Sequence, residues 1–434
     1  MDKKYTFAIH TLGCKVNTYE SDLLCQELIK AGFVNVPFTG QADVYIINTC
    51  TVTNIADRKS RQMLHRVRKL SPGSLIVAAG CYADAGSQGK AIEDADVDLW
   101  VKNSEKNLLP GLLKEKLGIG NNESCPAGTW DAPFLTELKD HTRAFVKIED
   151  GCNMFCTYCI IPYVRGKVTA RPVEDTYNEV KGLSEKGVKE VVLTGIHLSS
   201  MGRELLRTIE AVNSIEGIER IRLGSLEPRL ITKAFAAELK KYGKLCPHFH
   251  LSLQSGCDRV LKAMNRRYTC EDFKEGVAAL REVYPDAAIT TDVIAGFPGE
   301  TSEDHEKTKA FMKDINFYEA HVFKYSRRKG TAADLMKDQL TEQVKAARSA
   351  ELIKISEEES HAFRERFIGR TLSFLCEEET VFEGNKYITG FTREYVRCLC
   401  PFEGDPLSVQ GKIVTGRAQK LIKTAEGTEC LLLV

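Results

Sequence analysis

Residues 143–160 read RAFVKIEDGCNMFCTYCI. The opening RAFVKI (143–148) has the aliphatic and aromatic make-up of a strand. Directly behind it, GCNMFCTYC (151–159) sets Cys152, Cys156 and Cys159 in a C-x3-C-x2-C spacing. A compact loop of this kind puts three thiolates on three corners of an iron–sulfur cube and leaves the fourth iron without a protein ligand. A zinc site or a structural cysteine cluster is the other reading, although zinc pairs usually come as C-x2-C with a distant second pair. Five more strand candidates follow: EVVLTG (190–195), RIRLGS (220–225), HFHLSL (248–253), AITTDVI (288–294) and YEAHVFKY (318–325). Amphipathic or helix-prone stretches follow each strand. The span 143–326 holds 184 residues, or about 31 per unit, the size of one βα repeat. Six such units, connected right-handedly, predict most of a TIM-like barrel left open on one side. The cysteine loop then stands at the carboxyl end of the first strand, where barrel active sites sit.

Upstream, continuous apolar strands alternate with helices, which predicts a parallel sheet covered on both faces. The strands are YTFAIHTL (5–12), ADVYIINT (42–49), SLIVAAG (74–80) and VDLWV (97–101). Cys14, Cys50 and Cys81 each stand just past one of the first three, in TLGC, INTC and AAGC. Ligands of open parallel sheets bind beyond the carboxyl ends of the strands, so three thiols there predict one convergent site; chance placement is the alternative. Residues 104–142 read as a linker that wraps rather than folds alone. Downstream, residues 335–367 are charged and helical, with Gly369 ending the helix. Five short strands follow in TLSFLC, KYITGF, EYVRCLC, GKIVTGRAQK and ECLLLV, predicting a small antiparallel barrel.

The chain has 434 residues, with sixty Lys and Arg against sixty Asp and Glu. That balance excludes a uniformly basic nucleic-acid binder but not a local patch. Its fifteen cysteines are about 3.5% of residues, well below a disulfide scaffold. The start, MDKKYTFAIHTLGCKVN, has no long apolar run, and no stretch approaches the ~18 apolar residues of a membrane span. A soluble cytoplasmic protein is expected, in which cysteines serve as metal ligands, catalytic groups or core. The nine cysteines outside the two triads show no pattern and read as core or incidental, Cys257 least clearly.

GCNMFCTYCIIP (151–162) resembles the cluster loop of the radical S-adenosylmethionine enzymes. TLGCKVNTYES, INTCTVTNIADRKSR and GCYA resemble the amino-terminal domain of the methylthiotransferases, and the tail resembles the small RNA-binding TRAM barrel. The resemblance implies three domains: 3–118 with an auxiliary cluster, 138–368 as radical core and 370–434 as TRAM. It implies one 4Fe–4S cluster on Cys152, Cys156 and Cys159, its open iron chelating S-adenosylmethionine, and a second on Cys14, Cys50 and Cys81. Thr194, Gly195, Glu227, Gln254, Gly296 and Gly299 are the implied further contacts to S-adenosylmethionine, with barrel architecture as their alternative explanation.

GCKVN, NTCTVT and LTGIH look most like the branch that modifies N6-threonylcarbamoyladenosine at position 37 of tRNA. The implied reaction removes hydrogen from adenine C2 with a 5′-deoxyadenosyl radical and installs a methylthio group, fed by a one-electron donor such as flavodoxin or ferredoxin. No acid–base pair is needed, and no catalytic side chain is assigned. The alternatives are N6-isopentenyladenosine in tRNA, a ribosomal-protein aspartate, or a zinc-containing RNA-binding protein. For RNA, residues 58–69 carry six Lys and Arg and no acid. Further candidates are Arg165, Lys167 and Arg171; Arg266 and Arg267; and Arg327, Arg328 and Lys329. In the tail, Tyr387, Phe391, Arg393, Tyr395 and Arg397 either offer stacking and phosphate contacts or pack the small core, the two readings being equal on the sequence.

Overall fold

The computed structural model describes residues 4–87, 96–119, 134–136, 138, 142–424 and 426–434. The chain forms two compact units, one of Met1–Lys139, Glu149–Arg171 and Ser326–Asp334, the other of Asp140–Ile148, Pro172–Tyr325 and Leu335–Val434.

The first unit is built on a five-stranded parallel sheet. Its order across the sheet is Val34–Asn35, Thr6–Thr11, Val44–Thr49, Leu75–Gly80 and Leu99–Val101. The central strand VYIINT is buried at every position, as a strand covered on both faces must be. Its alternation feeds two cores. Val44 and Ile46 pack with Leu24, Leu28, Leu109 and Leu113 on one side. Tyr45 and Ile47 pack with Leu64 and Val67 on the other. Helix Lys15–Lys30 covers the first face and helix Asn54–Leu70 the second.

The expected linker needs correction. Asn103–Leu108 is a 3-10 turn and Leu109–Leu117 an α-helix, with Pro110 in its first turn and Gly118 as a left-handed cap. Leu109 and Leu113 are fully buried, so this stretch is part of the core. Further on, Gln26 ties residues 134–136 to the unit: its Nε2 donates to the Phe134 carbonyl at 2.8 Å, and its Oε1 accepts from the Thr136 amide at 2.7 Å. Cys125 lies outside the described residues.

The second unit carries six parallel strands. Ala144–Lys147, Glu190–Thr194 and Arg220–Leu223 form one sheet; His248–His250, Ala288–Ala295 and Glu319–Lys324 form another. Parallel bridges Ile221–Leu245 and Leu226–Leu251 join the third strand to the fourth, giving an open series in chain order. Helix Glu342–Glu365 starts at Thr341, whose hydroxyl accepts from the Val344 amide. Behind it, Gly369 adopts φ +85° and turns the chain into the small barrel. That barrel is closed, in the order Thr371–Phe382, Asn385–Thr392, Arg397–Pro401, Glu429–Leu433 and Ile413–Lys423. Every pairing is antiparallel except the one between Arg397–Pro401 and Glu429–Leu433.

A charge cluster fastens the small barrel beneath the amino ends of the parallel strands. Glu190, wholly buried, accepts from Arg222 Nε at 2.7 Å and also faces Arg143 and Arg220. Arg220 donates onward to the carbonyls of Phe391 and Ser373, and Arg222 to those of Arg393 and Thr392. Tyr395 stacks between Phe391 and His248, with Arg222 over its ring at 4.7 Å. Phe391, Arg393 and Tyr395, expected as RNA contacts, therefore serve this interface.

Candidate iron–sulfur and cofactor site

Each thiol of the first triad sits where a strand stops. Cys14 caps helix Lys15–Lys30, Cys50 follows strand Val44–Thr49, and Cys81 opens helix Cys81–Ser87 behind strand Leu75–Gly80. Gly13 lets the first two segments meet. It adopts φ +105°, and a side-chain carbon there would lie 2.9 Å from Cys50 Sγ. Burial pushes the Cys50 thiol up to about 11, and Cys81 and Cys14 add to the shift. Asn17 ties two of the strand ends, donating to the Leu12 carbonyl at 2.7 Å and the Thr49 carbonyl at 3.0 Å.

The second triad lies in the same unit. Gly151 (φ +82°) admits no side chain, because a Cβ would stand 2.2 Å from the Lys167 carbonyl oxygen. The Cys152 amide donates to the Gly166 carbonyl at 3.1 Å and the Cys159 amide to that of Cys156 at 2.9 Å. Phe155 at φ +48° makes the tight bend that brings the three cysteines around one loop.

Buried charge holds the two cysteine-bearing regions together. The Arg165 side chain, 1% exposed, donates to Glu20 Oε1 at 3.0 Å, Asp150 Oδ1 at 3.1 Å and Asn17 Oδ1 at 2.8 Å. Asn17 and Glu20 follow Cys14, whereas Asp150 precedes Cys152. Lys106 pairs with the same Glu20. Asn103 Nδ2 lies 3.5 Å from both Cys81 Sγ and the Val164 carbonyl. A second clasp is Ser326–Asp334. Arg328 donates to Thr51 Oγ1 at 2.6 Å and Asp57 Oδ2 at 2.5 Å, and the Ala333 amide donates to the Thr157 carbonyl at 2.8 Å.

These contacts correct part of the expected RNA surface. Arg165, Arg171 and Arg328 are buried inside the fold rather than offered to a partner. Arg266 donates to Tyr268 and faces Glu227, and Arg327 pairs with Asp334. A charge that ends a buried ion pair looks the same in sequence as one in solvent. The signal for Asn17 and Glu20 was their place in TLGCKVNTYES; nothing marked Lys106 or Asp150.

Both triads fit iron–sulfur clusters. All six thiols are free of disulfides, and glycine opens the backbone beside each triad. Among the described residues no three His, Cys, Asp or Glu side chains converge as a single ion requires. Four of the other cysteines, Cys246, Cys376, Cys398 and Cys430, are buried, and burial pushes their thiols up. Cys257 is buried and bonded to Asp304 at 3.2 Å.

The second unit brings the other expected residues to the carboxyl rim of its strands. Thr194 ends strand Glu190–Thr194, with Gly195 next. Gln254, at φ +67°, bridges to Val293, and Gly296 follows strand Ala288–Ala295. Gly296 and Gly299 have positive φ, so a backbone requirement alone accounts for glycine there. Glu227 follows the third strand and lies 3.5 Å from His197 and 3.7 Å from Arg266. Burial would raise its carboxyl, but His197 and Arg266 outweigh burial and hold it below the ordinary range. His197 was legible only as part of LTGIH.

Comparison with known proteins fits this geometry. The Radical SAM superfamily model matches residues 146–312, and the model described as Uncharacterized protein family UPF0004 matches residues 6–102. A solved radical S-adenosylmethionine methyltransferase, TsrM from Kitasatospora setae, with cobalamin and a 4Fe–4S cluster bound, superposes with TM-score 0.57 at 13% identity. The match covers 76% of this chain and 74% of that one. The shared fold is thus that of the radical S-adenosylmethionine enzymes, and the match to the Radical SAM superfamily model implies a 4Fe–4S cluster and S-adenosylmethionine as cofactors. Threonylcarbamoyladenosine tRNA methylthiotransferase MtaB of Bacillus subtilis (strain 168) is 38% identical, over 94% of this chain and 92% of that protein. Its namesake in Aquifex aeolicus (strain VF5) is 40% identical, over 88% and 95%. A tRNA-2-methylthio-N(6)-dimethylallyladenosine synthase of Thermodesulfovibrio yellowstonii is 36% identical, over 89% and 90%. At this identity and coverage the chain belongs to the radical S-adenosylmethionine methylthiotransferase family.

Proposed function

We propose that the chain attaches a methylthio group to C2 of N6-threonylcarbamoyladenosine at position 37 of tRNA. In this reading Cys152, Cys156 and Cys159 hold one 4Fe–4S cluster and Cys14, Cys50 and Cys81 a second. The observation that supports it most is the presence of two separate thiol triads in one compact unit. The relatives named MtaB, at 38% and 40% identity, support the choice of nucleoside.

When bound, the clusters and S-adenosylmethionine supply the reductive radical chemistry and the sulfur that an unactivated C–H bond demands. The chain's residues bind and orient. Thr194, Gly195, Gln254, Gly296 and Gly299 offer backbone and small side chains to S-adenosylmethionine at the rim. Glu227, held anionic, presents an acceptor to its hydroxyl or ammonium groups. Arg165 and Arg328 set the separation of the two triads. Adenosine 37 lies in a single-stranded loop, so its base leaves the stack at low cost. A reduced flavodoxin or ferredoxin in the cytoplasm delivers the electron, and the small barrel takes the TRAM role through surfaces other than Phe391 and Tyr395. Among the described residues no helix is long and apolar enough to cross a membrane.

Mass spectrometry of tRNA nucleosides from a deletion strain tests the reading. Loss of 2-methylthio-N6-threonylcarbamoyladenosine is expected; its persistence, with no paralogue to make it, overturns the reading. The 36% identical dimethylallyladenosine synthase favours one second reading, with isopentenyladenosine as substrate. The same spectrum separates the two, because only one methylthio nucleoside disappears.

A further inference from the structure

Helix Asn54–Leu70 begins four residues beyond Cys50 and buries Ser60, Leu64 and Val67 against the sheet. Ser60 fixes the geometry: its hydroxyl donates to the Cys50 carbonyl at 3.2 Å. At about 100° per residue, Arg58, Lys59, Gln62, Arg66 and Lys69 fall within an arc of about 100° on the opposite side. All five are exposed. From Arg58 to Lys69 the row runs about 17 Å along the helix axis.

The other charges of this helix are engaged. Asp57, its lone acid, is taken by Arg328 and Thr51. Arg68 donates to Asp98 and to the carbonyls of Pro72 and Ser74. His65 pairs with Asp96, and Arg61 donates to Tyr82. Among the described residues no carboxylate pairs with Arg58, Lys59, Arg66 or Lys69. With Arg165, Arg171 and Arg328 buried, this row is a contiguous basic surface among the described residues of the cysteine-bearing unit.

We propose that Arg58, Lys59, Arg66 and Lys69 form a phosphate-binding face for the substrate RNA on the exposed side of helix Asn54–Leu70; the inference rests on the tRNA reading above. An unpaired basic row is complementary to a phosphate backbone, whose neutralisation releases counterions. An acidic protein partner fits less well. Protein interfaces are centred on apolar and aromatic groups, and this face carries apolar residues only at its ends, Ile55 and Leu70. Lys and Arg serve phosphate equally as charges, so sequence selection lies with the base pocket and not with this helix.

The test measures binding of the anaerobically reconstituted protein to a tRNA carrying N6-threonylcarbamoyladenosine at position 37, across a salt series. Replacing all four residues (Arg58→Gln, Lys59→Gln, Arg66→Gln, Lys69→Gln) is expected to weaken binding at least tenfold at low salt. It should flatten the slope of log affinity against log salt by about three to four. Exchanging Arg and Lys at the four positions should retain affinity. Iron content and tRNA-independent cleavage of S-adenosylmethionine should match the parent, which excludes misfolding. Unchanged affinity and salt slope in the four-Gln protein overturn the proposal. So does a variant that binds tRNA normally but accepts electrons poorly from reduced flavodoxin, which assigns the face to a protein. If the parent itself shows no affinity for this tRNA, the functional reading fails instead.

Discussion

Arg165 is the residue on which most of the site geometry turns. One guanidinium joins Glu20 and Asn17, behind the first cysteine, to Asp150, before the cluster loop. Removing it takes the guanidinium away from two buried carboxylates, Asp150 and Glu20, the second of which keeps Lys106; breaking such a buried pair costs about 3–5 kcal/mol. Arg165→Met should therefore lower stability by that amount in chemical denaturation; a loss under ~1 kcal/mol contradicts the role. Gly13 is a sharper probe of the first triad. Gly13→Ala forces a methyl to within 2.9 Å of Cys50 Sγ at a backbone angle alanine disfavours. Iron analysis should find the variant short of about four irons per chain, with the cluster loop still loaded. Full iron content contradicts the crowding argument.

Among the elements, helix Glu342–Glu365 carries a pH-sensitive contact. Burial pushes Glu359 up to about 7, although its Oε2 accepts from the Phe317 amide at 3.3 Å. The folded protein thus favours the protonated acid. That contribution is fully present below the unfolded value near 4.5 and is lost as pH rises through 7. Glu359→Gln should change little at pH ~4.5 and stabilise by on the order of 2 kcal/mol at pH ~8. Equal effects at the two pH values contradict it. Elements also show what the sequence made legible. Unbroken apolar runs such as VYIINT identified the parallel strands, and the cysteines at their ends followed. Leu109–Leu117 escaped because nine residues with a proline and a glycine look like a loop until Leu109 and Leu113 meet the sheet. Phe391 and Tyr395 alternate as any barrel strand does, and pattern alone does not tell an RNA-facing side from one covered by Arg222 and His248.

At the scale of the whole molecule, two buried charge networks organise the chain. Glu190 gathers Arg143, Arg220 and Arg222 where the small barrel meets the parallel strands. Glu190→Gln leaves three guanidinium groups short of a carboxylate, at about 3–5 kcal/mol. The small barrel should then loosen, and limited proteolysis should cut near Gly369; resistance equal to the parent contradicts this. The Arg165 network and the Ser326–Asp334 clasp draw both thiol triads into one unit, although about seventy residues separate Cys81 from Cys152. The central claim is that each triad holds its own cluster. Iron and acid-labile sulfide, measured after anaerobic reconstitution of the parent and of two triple Cys→Ala variants, test it directly. The account predicts about eight irons for the parent and about four for each variant. A parent value near four, or one variant retaining the full complement, contradicts it.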